Sequence, residues 1–158
     1  MTPEEVATAL QNELFFDPRT ARAYARARGR CEYCGRDVVI DRWGYACGNI
    51  DHLLPVSGYA DEVTAHPDNF VLSCSLCNGI KGKASILKSP ENALEMLQKG
   101  GAELIARANV LIRERLAEPN RNWERAKVLF QGLSNVAQPS LPAGVPASAA
   151  VPPQPGRD

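Results

Sequence analysis

Aromatic residues are scarce, at 6% of 158 positions, and there are only two histidines and two methionines. With 44% hydrophobic residues the chain can still bury a core, but one built mainly of Ala, Leu and Val. Neither charge sign prevails. Eighteen Lys and Arg against eighteen Asp and Glu give a formal net charge of zero, which argues against a protein that is basic throughout. No apolar run reaches the ~18 residues of a transmembrane helix. The opening "MTPEEVATALQNELFF" is acidic and helical in period, unlike a signal peptide. These absences point to an intracellular, cytoplasmic chain with no membrane partner. Disulfides are not expected there, so the five cysteines read as metal ligands or buried thiols.

What is present is segregated. Arg19, Arg22, Arg26, Arg28, Arg30 and Arg36 crowd one stretch, and Lys81, Lys83 and Lys88 another. Residues 1–29 read as two helices. The first spans 3–14; the second is capped by Asp17, has Pro18 at its first position and stops at Gly29. Residues 30–88 read as the functional core. It holds a knuckle and a short strand over 30–41, a turn at "DRWG", an extended run "YACGNIDHLLP", a loop over 57–69, the strand "FVLS", and a helix from Ser75. Residues 89–133 read as C-terminal helices, starting behind a cap-like Ser89 and interrupted at Gly100-Gly101. A core-facing stripe of Leu104, Ile105, Ala108, Leu111 and Ile112 follows, then a last helix "NWERAKVLFQ". Residues 134–158, rich in Pro, Ala and Ser, read as a disordered tail.

Two Cys-x-x-Cys pairs, Cys31/Cys34 and Cys74/Cys77, supply the four thiolates of a structural Zn²⁺. Two separate redox pairs would come with a thioredoxin-like βαβ pattern, which is absent. Cys47 reads as a buried thiol on the second extended run, because zinc closes at four ligands.

Between and beside these knuckles lie Asp51-His52 with Pro55, then Asn69 before a short apolar strand, then Cys77-Asn78 followed by Lys81. On these residues, over about positions 28–85, the sequence resembles the HNH endonucleases, also called ββα-metal or His-Me finger nucleases. It is most similar to their four-cysteine zinc-containing subgroup and, with Asn78 at the third signature position, to a His-Asn-Asn variant. The resemblance implies an α+β fold: a small ββα-metal core stapled by the four-cysteine zinc site and flanked by N- and C-terminal helices. It further implies an endonuclease, a phosphodiester hydrolase acting on DNA and leaving 5′-phosphate and 3′-hydroxyl ends, in a bacterial or phage-like setting.

The residues support the same chemistry. His52, with an ordinary pKa near ~6.5, suits a general base. Asp51 and Asn78 offer hard oxygens to a catalytic Mg²⁺ or Mn²⁺. Adjacent strand residues point to opposite faces, so the strand should twist, bulge or end at Asp51-His52. Asn69 then braces the loop carrying His52, the role the family gives its middle Asn. Lys81, one helical turn from Asn78, is placed to meet the same phosphate. Arg22, Arg26 and Arg30, with Arg19 before them, form either a phosphate rail or a solvated arginine face. His66 is a loop residue without an assigned role. The competing reading is a non-catalytic zinc-dependent nucleic-acid-binding module. A homodimer would suit double-strand cutting by one active site per chain.

Overall fold

The computed structural model describes residues 1–90 and 92–133; the expected tail over 134–158 lies outside the described residues. The chain divides into two compact units, Met1–Asn120 and Arg121–Asp158.

The first unit opens with α1, Pro3–Leu14, started by a capping box between Thr2 and Glu5. Helix α2, Pro18–Ala27, is capped by Asp17, whose carboxylate accepts from the amides of Arg19 and Thr20. It ends with Arg28 and Gly29 both at positive φ, and a side chain at Gly29 would run into Val39. The first knuckle follows. Its expected strand does not form: a single bridge, Arg30 with Asp37, is all the ladder there. The expected "DRWG" turn is instead the start of α3, Arg42–Ala46, because Asp41 caps it through the Gly44 amide. Cys47 ends that helix and is exposed, not a buried strand thiol.

Strand β1, Gly48–His52, pairs antiparallel with β2, Phe70–Cys74, in the register Gly48 to Cys74 and His52 to Phe70. The intervening segment, expected as plain loop, holds α4, Asp61–Thr64, and a 3-10 turn, Pro67–Asn69, at which His66 accepts from the Asp68 amide. Helix α5, Ser75–Lys81, leaves β2 directly, so the two strands and this helix form a ββα unit. Helix α6, Ala93–Gln98, starts later than Ser89 suggests. Helix α7 spans Ala102–Leu133 as one element with Pro119 inside it, where separate helices were expected.

One apolar cluster joins these pieces. Leu53, Leu54, Val71 and Leu72 from around the hairpin are fully buried with Leu97, Leu104 and Ala108. Each such leucine contributes about 1.5–3 kcal/mol. The helices after residue 89 therefore complete the core beneath the hairpin. In the second unit, described over 121–133, Lys127 pairs with Glu124 and lies over the Trp123 ring. No helix of the described residues is long and apolar enough to cross a membrane.

Candidate metal and catalytic centres

The four knuckle cysteines converge. Their Sγ atoms all lie within 4.8 Å of one another, and Cys34 and Cys74 approach to 3.8 Å. A tetrahedral zinc with bonds of ~2.3 Å requires S···S edges of about 3.8 Å, whereas a disulfide would bring two sulfurs to about 2.05 Å. The set therefore fits a metal such as zinc and not a pair of disulfides. The backbone prepares it. The Gly35 amide donates to the Cys31 carbonyl, with Gly35 at φ +73°, which turns the first pair inward. The second pair sits where β2 passes into α5. Burial raises the Cys31 thiol to about 11 and pushes Cys77 up as well. Burial also acts on Cys74, but hydrogen bonds from Cys77 and its fellow thiols outweigh it and lower that group. A metal would bind all four as thiolates.

His52 is the last residue of β1, so the strand ends at the pair Asp51-His52, as two adjacent residues serving one site require. Its imidazole rests against the Phe70 ring, centroids 4.6 Å apart, and the Arg19 guanidinium covers that same ring at 5.0 Å. Burial lowers the His52 pKa. Asp51 pushes it back up, while Lys81 and Arg19 add to the lowering. The net direction keeps the ring neutral at neutral pH, the form that can accept a proton.

Directly after His52 the chain is clamped by Asn69, which is fully buried. Its Oδ1 accepts from the Leu54 amide at 2.8 Å, and its Nδ2 donates to the carbonyls of Leu54 and Thr64. Its own carbonyl accepts from Leu53.

Asp51 is held by one oxygen only. Oδ2 accepts from the Tyr33 hydroxyl at 2.7 Å and pairs with Lys81 Nζ at 3.0 Å. Burial, then the Asp51 carboxylate, keep Tyr33 protonated and so a donor. No described residue donates to Oδ1 or to the Asn78 side chain. Since no buried side-chain N or O among the described residues lacks a partner, Oδ1 keeps some contact with solvent, although the Asp51 side chain is 11% exposed in all. Helical spacing sets Asn78 on the face of α5 that carries Lys81. A carboxylate oxygen and an amide oxygen, both unbonded, are donors that suit a hard divalent ion.

Of the basic residues, Lys81 and Arg26 depart from their expected positions. Lys81, expected at a phosphate, is 1% exposed and donates to the His52 carbonyl at 2.6 Å besides pairing with Asp51. Arg26 faces inward, binding Glu32, Asp68 and the Phe70 carbonyl. Arg30 pairs with Asp37 at the surface. Arg22 is exposed. Two contributors have no motif to announce them. Tyr33 lies inside the first knuckle, and Arg115 of α7 donates to the carbonyls of Ile80 and Lys81, satisfying the end of α5.

Residues 31–84 match the family model described as HNH endonuclease. Among curated proteins and among solved structures, none matches the chain significantly. The family match begins at the first knuckle cysteine and ends just past α5, so a likeness to the HNH endonucleases is shown for this segment of the chain.

Proposed function

We propose that this protein is a metal-dependent endonuclease that hydrolyses DNA phosphodiester bonds. The observation that supports it best is the partly buried imidazole of His52 at the end of β1, its pKa lowered by burial, next to a carboxylate with one oxygen left unbonded. A pure binding module has no use for a poised base.

In this reading His52 takes the proton from the attacking water. Asn69 fixes the backbone that follows His52, so the ring does not swing away from its proton donor. Asp51 Oδ1 and Asn78 would hold Mg²⁺ or Mn²⁺. Once bound, that ion supplies charge stabilisation for the phosphoryl and leaving 3′ oxygens. Arg19 and Arg22, exposed on α2, offer positive charge to the flanking phosphates. Zinc on the four cysteines is structural.

The test is plasmid cleavage with Mg²⁺ or Mn²⁺, wild type beside His52→Ala. A rate loss of about 10²–10⁴-fold in the variant, with DNA binding retained, is expected. Equal DNA binding with no nicking by either protein would leave only the binding-module reading.

A further inference from the structure

Lys81 is the only fully buried charged side chain among the described residues. An ammonium taken out of water is costly unless its protons are used and its charge is matched. Both conditions hold here: the protons meet Asp51 Oδ2, the His52 carbonyl and, at 3.4 Å, the Gly82 carbonyl. The charge it matches is that of Asp51, the one acidic ligand of the proposed divalent site. Asn78 is neutral. With Lys81 paired to Asp51, the donors and their buried cation together carry no net negative charge before substrate arrives. A divalent ion approaching Oδ1 meets a carboxylate whose other oxygen already holds a cation. The missing negative charge is that of the scissile phosphate.

We propose that Lys81 makes uptake of the divalent ion and of nucleic acid interdependent: the free protein binds the ion weakly, and ion and phosphate enter as a cooperative pair. This rests on the metal assignment above and adds an order to it. Tyr33 shares Oδ2 without carrying charge, so it positions Asp51 but does not set the coupling.

The experiment is Mn²⁺ titration followed by electron paramagnetic resonance on the full, zinc-loaded chain, with His52→Ala blocking turnover. A short DNA duplex should tighten Mn²⁺ binding, and Mn²⁺ should tighten DNA binding by the same factor, about tenfold or more. Adding Lys81→Met should raise Mn²⁺ affinity in the absence of DNA and bring that factor toward one. Adding Tyr33→Phe should leave the factor in place. The proposal falls if DNA does not change Mn²⁺ affinity, if Lys81→Met leaves the factor intact, or if Tyr33→Phe abolishes it equally. Should Lys81→Met not fold, the factor measured in its parent decides. Asp51→Asn separates the two levels: Mn²⁺ binding that ignores this change overturns the metal assignment itself, whereas binding that needs Asp51 but not DNA overturns only the coupling.

Discussion

At the scale of single residues, Asn69 and His52 should separate stability from activity. Asn69→Ala removes three buried side-chain hydrogen bonds and leaves the Leu54 amide and two carbonyls without partners. Each orphaned group costs about 1–3 kcal/mol. Urea denaturation should show a loss of about 3–5 kcal/mol, the lower part of that sum because water can reach some of the groups, and near the top of the range for point changes. His52→Ala loses only a ring contact at a partly buried position, so stability should move by about 1 kcal/mol while the cleavage rate falls by about 10²–10⁴-fold. A large stability loss in His52→Ala would mean that the ring is there for packing.

The same residues show what the sequence could and could not disclose. Asp51, His52, Asn69, Asn78 and the four cysteines stand out because their types and spacings are unusual together. Lys81 was legible as sharing a face with Asn78, but helical periodicity does not say whether that face looks to solvent or to a neighbouring strand. Tyr33 was illegible. It sits between Cys31 and Cys34 in sequence, and it reaches Asp51 only because the knuckle folds back toward the hairpin beside the four-cysteine cluster.

At the scale of elements, α2 sorts its arginines by direction. Arg26 bridges α2 to β2 through the Phe70 carbonyl and to Glu32 and Asp68, and Glu32 in turn accepts from the Leu72 amide. Arg22, four residues earlier, is exposed. Arg26→Met should therefore destabilise the fold by about 1–3 kcal/mol, since it strips the partner from a mostly buried carboxylate. It should leave the salt dependence of DNA affinity unchanged. Arg22→Ala should do the reverse, keeping the melting temperature and lowering the slope of log K against log salt by about one. Thermal melts with salt-titrated binding on both variants check the pair. The start of α2 was readable because Asp17-Pro18 marks it, whereas the cap-like Ser89 placed the next helix too early. The strand expected after the first knuckle failed because Val38 is drawn into the core as a single anchor while Val39 and Ile40 stay exposed, so no partner ladder exists for them. Asp41 gives little sign of being a cap because the helix it starts is hardly more than one turn long.

At the scale of the whole first unit, two devices share the work of holding a small hairpin. A two-stranded sheet is marginal by itself. Here its buried face is closed by Leu97, Leu104, Ala108 and Ile112 from the C-terminal helices, and its open end by the four-cysteine cluster. Elemental analysis should find about one zinc per chain. Structural zinc contributes about 10–16 kcal/mol in small metal-folded domains, more than the total stability of a typical domain. A tight zinc chelator should thus collapse the fold between the knuckles, seen as loss of near-ultraviolet circular dichroism, and cleavage should go with it. Removing Mg²⁺ while zinc stays bound should stop cleavage with the spectrum unchanged, because Asp51 remains tied to Tyr33 and Lys81 without any ion. If both treatments unfold the chain, the divalent site is part of the scaffold; if chelated protein keeps its near-ultraviolet spectrum, the apolar cluster alone suffices and the cysteines are not a staple.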